Sequence, residues 1–260
     1  MVLMTSIYFL NYFLFAGSNS ELMDDLEYHV THSKSFACEY LSCLNPHSFA
    51  VAKVLKPFNV ALSNAKWLIP DGVGCIVGAR LLGSRCTERI AGFDVFYKLS
   101  ERINVDYKVK VFFLGSTDET LKKITEKYAY DFQNIEIAGS YSPPFQKKFD
   151  DDENKNIITR INNSGADVVW VGLSSPKQDI WMYENKRYLN ARLALGIGAV
   201  FDFYAGNVPR SPNWVQKLGF EWLHRLTQEP KRLWGRTFIS GPIFILSLFV
   251  EFWNIKIGSK

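Results

Sequence analysis

The sequence has little of the residue types that mark a metal or disulfide protein. Its 260 residues include only four cysteines, none in a Cys-x-x-Cys pair, and four scattered histidines. This pattern argues against a disulfide framework and a zinc site, and it favours reduced thiols. The acidic run at 150–153 follows two lysines and predicts the solvated start of a helix, so we expect no bound metal.

The sequence also lacks the short motifs of several well-known catalytic sites. It contains no Walker loop and no Gly-x-Ser-x-Gly element. The glycines at 72–78 are one residue away from the dinucleotide fingerprint, and no ribose-binding acid follows at a suitable distance. A nicotinamide-dependent oxidoreductase, suggested only by the general α/β pattern, is therefore disfavoured.

The net charge of the whole chain is small, but the charge is unevenly distributed along it. A net charge of +4 is too small to indicate a nucleic-acid-binding protein, and a hydrophobic content of 47% excludes a disordered chain. Residues 207–260 carry eight Lys or Arg against three Glu, a net +5, whereas the rest of the chain carries −1. Four of the seven Trp lie in the same segment. A basic, Trp-rich segment is typical of contact with an anionic membrane surface.

Apolar runs are present but short. Residues 1–17 lack a basic start, and Asn11 interrupts them, so they predict a pair of buried strands rather than a signal peptide. Residues 238–250 are about thirteen uncharged residues, fewer than the roughly 20 that a spanning helix needs. A Gly-Pro pair interrupts this run and Glu251 ends it. We expect it to lie on a membrane; packing against the protein's own core is the alternative.

Strand-like and helix-like segments alternate through most of the chain. Strands are predicted at 36–44, 66–69, 108–114, 135–138, 166–173 and 193–197, with helices between them. This alternation predicts an α/β fold: an open parallel sheet with helices on both faces, Rossmann-like. After residue 206 the strands stop. We therefore divide the chain into an α/β catalytic domain, 1–206, and a C-terminal helical, membrane-associating appendage, 207–260.

Polar or glycine-rich turns follow nearly every predicted strand. They occupy 45–47, 70–72, 115–117, 139–141, 174–178 and 198–202. Because the carboxyl ends of parallel strands share one edge of the sheet, these turns converge on one cleft. Glycine turns that open helices can hold a diphosphate through backbone amides, or they can simply be tight turns.

Asp71 is the best candidate for a general base in this cleft. It lies between a proline and a glycine, so its backbone is fixed and its side chain is uncrowded. The alternative is an aspartate that closes a turn or caps the next helix. His47 is a second polar candidate at the cleft; it either hydrogen-bonds a ligand or has no role.

Three arginines of the appendage have helical spacing. Arg232 and Arg236 are one turn apart, and Arg225 precedes Arg232 by seven residues. On a continuous helix they would share a face and clamp phosphates, because a guanidinium binds phosphate oxygens bidentately. A solvated basic face is the alternative.

Taken in order, the motifs resemble the WecG/TagA/CpsF glycosyltransferases, family 26. The matching segments include Pro-Asp-Gly at 70–72 and Ser-Pro-Lys-Gln-Asp at 175–179, and they continue through 88–94, 113–115, 196–206, 209–212, 219–226 and 229–232. The resemblance implies inverting transfer of a sugar from a UDP-sugar to a polyprenyl-diphosphate-linked saccharide. The sugar would be N-acetylmannosamine, its uronic acid or glucose.

The resemblance also implies a place and partners. The reaction would occur at the cytoplasmic face of the plasma membrane, during synthesis of cell-surface polysaccharides. The partners would be the UDP-sugar, bound by residues 1–206, the lipid-linked acceptor and an anionic membrane surface. No nucleic acid and no cofactor beyond the donor substrate are expected, and a homo-oligomer remains open.

Roles for individual residues follow from the same resemblance. Asp71 would be the base, with Asn45 and Gln178 beside it in the cleft. The remaining matched positions would bind substrate: Arg89 and Asp202 near the nucleotide or its support, Gly115 at a glycine turn, Tyr141 facing the uracil, and Arg225, Arg232 and Arg236 on the acceptor diphosphate.

One position departs from the family pattern. The family has Thr-x-Asn at the first strand end, whereas this sequence has Cys43-Leu44-Asn45. A thiol is a weaker hydrogen-bond donor than a hydroxyl. Either the threonine role is dispensable or the donor preference differs. The substitution also motivates an alternative function, a catalytically silent scaffold of a polysaccharide assembly complex.

Overall fold

The computed structural model describes residues 6–32, 37–83, 88–105, 108–212, 215, 221–228 and 230–258. The strands in these ranges are β1 (Ser6–Phe9), β2 (Tyr12–Phe15), β3 (Glu39–Leu44), β4 (Trp67–Pro70), β5 (Lys110–Gly115), β6 (Glu136–Tyr141), β7 (Val168–Gly172) and β8 (Leu193–Gly196). The helices before β6 are α1 (Asn19–His32), α2 (Pro46–Val54), α3 (Lys56–Ser63), α4 (Val73–Leu81), α5 (Gly92–Ile103) and α6 (Asp118–Asp131). Those after it are α7 (Asp151–Ser164), α8 (Lys177–Asn185), α9 (Val200–Tyr204), α10 (Glu221–Gln228), α11 (Pro230–Phe238) and α12 (Ser240–Gly258).

Six parallel strands form the central sheet in the order β4-β3-β8-β7-β5-β6. The predicted α/β class with an open parallel sheet is confirmed. The central strands are apolar on both faces because helices cover both, as in the Val-Val-Trp-Val run of β7. Strand β6 is longer than predicted: 139–141 pair with β5 as part of the strand instead of forming a turn. This edge strand is only partly buried, so its apolar signal is weak.

The N-terminal apolar residues form an antiparallel hairpin, β1–β2, which confirms the predicted strand pair. Its predicted burial is only partly right, because Tyr8 and Phe13 are 60% and 70% exposed. Asn11, which interrupts the apolar run, lies in the hairpin turn with a left-handed φ of 71°. Leu14 and Phe15 are buried, and β2 lies beside β4 at the edge of the main sheet.

Helices after neighbouring strands cover opposite faces of the sheet. Helix α6, which follows β5, packs in a core with Phe96, Phe113 and Trp170. Helix α8, which follows β7, contributes Trp181 and Met182 to the core on the other face. Where the connections diverge in this way, the strand ends open into a crevice, which is where α/β proteins bind ligands.

The C-terminal apolar run forms a longer helix than the sequence predicts. Helix α12 has 19 residues, and Ser240–Ile257 is long and apolar enough to cross a membrane by length and composition. The predicted stop at Glu251 is wrong, because a single charged residue can lie on a helix surface without ending it. Pro242 is in the first turn, where a backbone N–H has no helical partner to lose.

Only 11% of that apolar window is buried, unlike the core helix of a soluble protein. Phe244 and Leu248 are its buried apolar members, and they pack in a third core with the hairpin, α2 and α4. The appendage is thus joined to the sheet domain by a hydrophobic contact. The division at residue 206 stays a prediction.

Candidate active site

Left-handed backbone conformations cluster in the turns at the carboxyl edge of the sheet. Positive φ angles occur at five residues that follow or end strands: Gly72 (97°), Gly115 (115°), Ser116 (59°), Ser174 (62°) and Gly198 (57°). A residue other than glycine in this region costs roughly 1–3 kcal/mol, and such strain clusters at functional sites. Ser116 and Ser174 follow the neighbouring strands β5 and β7, which supports a site at this edge.

Gly115 allows the ends of β5 and β7 to approach closely. A Cβ at Gly115 would stand 2.6 Å from the carbonyl carbon and oxygen of Gly172. A Cβ at Gly172 would in turn stand 2.3 Å from the ring of Phe201. Both positions therefore require glycine. Gly115 lies at the predicted edge; its contact with a donor diphosphate stays a prediction.

Asp71 and Asn45 are brought together by adjacent strands. The backbone N–H of Asp71 donates to the carbonyl oxygen of Leu44 at 2.8 Å, so the two strand ends are in register. The Asp71 side chain is half-buried at the edge. The N-cap of α4 is Gly72, which has no side chain to cap the helix. Both the base role of Asp71 and the alternative, an aspartate that closes a turn or caps the next helix, stay predictions.

Asn45 has a structural task of its own. Its side-chain oxygen accepts from the backbone N–H groups of His47 and Ser48 at 3.0 and 2.9 Å, and Ser48 Oγ accepts from the Asn45 N–H at 2.7 Å. This capping box fixes the start of α2. With its oxygen used in the cap, the Asn45 amide nitrogen is the group that can face a ligand.

Gln178 extends from α8 beneath the glycine turn after β8. Its Nε2 is 3.0 Å from where a Cβ on Gly196 would stand, and its Oε1 is 3.8 Å from the equivalent point on Gly198. The side chain is only 4% exposed, yet Oε1 has no hydrogen-bond partner. An unpaired buried acceptor costs about 1–3 kcal/mol, so this oxygen is placed for a donor on a ligand or water.

Cys43 is close enough to two carboxylates for their charges to act on its thiol. Its sulfur is 3.9 Å from the carbonyl oxygen of Gly196, a weak S–H contact across β3 and β8. Burial raises the pKa of the Cys43 thiol well above its usual range, and the charges of Asp71 and Asp179 raise it further. The residue that departs from the family pattern thus lies near the carboxyl end of β3, against the last residue of β8.

Asp179 is a buried acid that the sequence reasoning missed as a site residue. Only 1% of the residue is exposed, and burial raises the pKa of its carboxyl to about 6, opposed by the hydroxyls of Ser175 and Ser42. Oδ2 has no hydrogen-bond partner. Its position directly after Gln178 in the Ser-Pro-Lys-Gln-Asp motif was the available signal.

Arg89 lies in a segment that follows α4 in the chain and returns to the end of β4, directly before Asp71. The N–H of Ile90 donates to the carbonyl oxygen of Pro70 at 3.3 Å. The Arg89 guanidinium donates to the Glu221 carboxylate at 2.9 Å, and both side chains are more than four-fifths buried. Arg89 therefore connects the cleft to α10 of the appendage. Whether it also reaches a nucleotide stays a prediction.

Asp202 and Tyr141 lie further along the edge. Asp202 is half-buried in α9, after β8, and its carbonyl oxygen accepts from Asn207 N–H at 2.9 Å. Tyr141 ends β6, five strands from Asp71. Its hydroxyl donates to Glu153 at 2.9 Å, and its ring lies 4.4 Å from the Arg160 guanidinium carbon. The phenol group thus points to α7, and its contact with uracil stays a prediction.

The three appendage arginines are split between two helices. Arg225 is in α10, whereas Arg232 and Arg236 are in α11. Residue 229, between α10 and α11, lies outside the described residues, so the continuous helix that would align all three arginines stays a prediction. Their side chains lie outside the described part of the structure, so the phosphate clamp stays a prediction.

The His47 side chain joins the cleft to α12. Its Nδ1 is 2.9 Å from Ser240 Oγ, at the first residue of that helix. Within the described ranges, no group of three or more His, Cys, Asp or Glu side chains is arranged to hold a metal. The expectation of no metal stays a prediction.

Comparison with known proteins gives the family. The model of the glycosyl transferase WecG/TagA/CpsF family matches residues 7–257. The N-acetylglucosaminyldiphosphoundecaprenol N-acetyl-beta-D-mannosaminyltransferase of Bacillus subtilis is 32% identical over 244 residues, covering 93% of this chain and 91% of the relative. The protein of the same name from Bacillus spizizenii is 32% identical over 179 residues, 69% of this chain and 66% of the relative. The chain belongs to the WecG/TagA/CpsF family of glycosyl transferases.

Proposed function

We propose that this protein transfers a sugar from a UDP-sugar to a polyprenyl-diphosphate-linked saccharide, with inversion at the anomeric carbon. One observation carries the proposal: Asp71, Asn45 and Gln178 lie at the carboxyl edge of the sheet, at the ends of β4 and β3 and beneath the turn after β8. The chain that holds them belongs to this family. N-acetylmannosamine is the favoured sugar because both relatives are named for it. Its uronic acid and glucose are the alternatives.

In the proposed reaction, Asp71 takes the proton from the acceptor hydroxyl. That oxygen forms a bond to the anomeric carbon, while the bond from this carbon to the UDP oxygen breaks on the opposite face. A positioned carboxylate contributes about 10²–10⁴ in rate. Backbone amides at the glycine turns and cationic side chains would stabilise the negative charge on UDP, so we expect no metal requirement.

Membrane association at the inner face of the plasma membrane completes the proposal. The outer surface of α12 exposes Leu246, Val250 and Trp253, each about 60% or more accessible. Phe244 and Leu248 of the same helix pack against the sheet domain. Crossing the bilayer would carry α2 and α4 into it as well, so we propose that α12 lies on the membrane, with the basic residues of 207–260 on anionic headgroups.

A donor panel tests the function. Purified protein in detergent is given UDP-N-acetylmannosamine, its uronate or UDP-glucose, with a synthetic prenyl-diphosphate N-acetylglucosamine as acceptor. We expect acceptor-dependent UDP release with one donor and a product one sugar heavier by mass spectrometry. If no donor gives release above background, the silent scaffold becomes the better account.

A further inference from the structure

Helix α4 is apolar on faces where a soluble helix is ordinarily polar. Its sequence, Val-Gly-Cys-Ile-Val-Gly-Ala-Arg-Leu, contains one charged residue, Arg80. Cys75 and Ala79 face the core. Val73, Val77 and Leu81 recur every four residues on an exposed stripe and are 37%, 47% and 61% accessible. Such a stripe indicates a contact with an apolar partner.

Two glycines bring α4 against α12. A Cβ at Gly74 would stand 3.8 Å from the Phe244 ring, and a Cβ at Gly78 would stand 2.9 Å from the Leu248 side chain. Phe244 and Leu248, one turn apart on α12, thus reach the two glycines, which are one turn apart on α4. On α4, Val77 and Leu81 lie next to this contact on the solvent side, as the helical spacing requires.

On α12, the residues next to this contact lie on the side of the helix that faces away from α2. Ser247 accepts a hydrogen bond from Lys53 of α2 at 3.1 Å, which identifies the opposite flank. Leu248 faces inward, so the residue after it, Phe249, lies on the flank of α4, together with Ile245 one turn earlier. These two side chains are 59% and 52% exposed.

By these helical spacings, exposed apolar side chains of both helices border the contact, and we call this surface the α4–α12 groove. Its floor and walls are Gly74, Gly78, Phe244, Leu248, Val77, Leu81, Ile245 and Phe249. It starts two residues after Asp71, at Val73, and follows α4 for about 12 Å. An apolar surface that begins at the reaction centre suits a substrate whose reacting group continues into a hydrocarbon.

We propose that the α4–α12 groove holds the isoprenoid chain of the lipid-linked acceptor. The inference rests on the proposed function and names the part of the acceptor that this surface recognises. A relative named for a diphosphoundecaprenol substrate is consistent with such a chain. The saccharide lies at Asp71, and the first isoprene units lie against Val77 and Leu81. The fatty-acyl chains of the bilayer have similar chemistry, so the test must separate the two.

Kinetics with acceptors of two chain lengths separate the acceptor's isoprenoid chain from the acyl chains of the bilayer. Wild type, Val77→Thr and Val77→Thr/Leu81→Gln are assayed with two acceptors that share the saccharide diphosphate, one with a long polyprenyl chain and one with a single short isoprenoid. Val54→Thr is the matched control, because Val54 is 86% exposed on α2 outside the groove. We expect the double variant to raise KM for the long-chain acceptor about five- to tenfold, the loss of two apolar contacts, with kcat unchanged.

Other outcomes of the kinetics overturn the inference. An equal rise in KM for both acceptors would indicate damage to the cleft. Weaker sedimentation of the double variant with anionic vesicles that lack acceptor would assign the groove to the bilayer. Normal KM values for every variant would show that no chain contacts these residues.

A binding measurement distinguishes failure of this inference from failure of the proposed function. A prenyl diphosphate carrying a diazirine on its second isoprene unit is photolysed with the full chain, with no donor sugar present. We expect labelled peptides to contain Val77 or Phe249. Labelling confined to other surfaces overturns the groove even if the enzyme is active, and labelling here stands even if no donor is turned over.

Discussion

The guanidinium of Arg89 donates to the carboxylate of Glu221 at 2.9 Å across 132 residues of sequence. This ion pair joins the loop beside Asp71 to the first residue of α10. It therefore fixes the appendage at the edge of the cleft, and both side chains are more than four-fifths buried.

We expect Arg89→Met and Glu221→Gln to be non-additive. Removing either partner leaves the other charge poorly solvated, and each single change should cost about 1–3 kcal/mol of unfolding free energy. The double variant should be no less active than the worse single variant. Urea unfolding and turnover of all four proteins measure this. Lys110→Met is the control, because it breaks the exposed ion pair with Glu136 at the amino ends of the strands. Additive losses of stability in the Arg89→Met and Glu221→Gln variants would show that Arg89 and Glu221 are uncoupled.

We expect Asp71→Asn to lose turnover and keep nucleotide binding. The amide has nearly the same shape but cannot accept the hydroxyl proton, so kcat should fall about 10²–10⁴-fold. UDP binding by calorimetry should be unchanged. Asp152→Asn, an exposed residue in the first turn of α7, is the matched control. Near-normal turnover of Asp71→Asn would remove the base assignment.

Gln178→Met should separate stability from activity. The buried Oε1 has no partner, so replacing the amide by an apolar group of similar length should leave the unfolding free energy unchanged or raise it by about 1 kcal/mol. The same change removes an acceptor that a sugar hydroxyl or N–H can use. KM for the donor should rise about tenfold. A strongly destabilised variant would instead assign the side chain a structural role.

Asp179 should make stability depend on pH. Burial raises the pKa of this carboxyl from 3.8 to about 6. Between these values the folded state keeps the proton that the unfolded state loses, so stability falls as pH rises through this window. Asp179→Asn lacks this penalty, so its stability advantage over wild type should grow by about 2 kcal/mol between pH 4.5 and 7.5. A pH-independent difference in urea unfolding would show that the carboxyl titrates normally.

The thiols of the described cysteines should be unreactive in the folded protein. Cys38 and Cys75 are fully buried, and burial raises the pKa of Cys43 well above its usual range, so little thiolate forms at neutral pH. Mass spectrometry after brief iodoacetamide treatment, with and without urea, measures this.

Cys43→Thr should keep or improve turnover by supplying a stronger donor toward Gly196, whereas Cys43→Val should lower it. Equal activity of both variants would make that donor dispensable.

The predicted strands were most accurate where both faces are buried. Strands β5 and β7 are continuous apolar runs, because parallel strands between two helical layers need apolar residues at every position. The edge strand β6 was predicted three residues too short, since partial exposure admits Gly139 and Ser140. Helix α12 is longer than the apolar run predicts for a different reason: the charge of Glu251 ends the run, but it does not interrupt the helical backbone hydrogen bonds.

The sequence by itself determined the α/β class, the family motifs and the positions of Asp71, Asn45 and Gln178 after strands or at a helix start, because these depend on local pattern. Only the tertiary structure decided which of these residues meet. Strand order brings Cys43 within electrostatic reach of Asp71 and Asp179, and packing of the appendage pairs Arg89 with Glu221. It also places α12 against the glycines of α4, where no local signal exists. Such contacts join distant segments, and they form because the sheet and its helices bury one another's apolar faces.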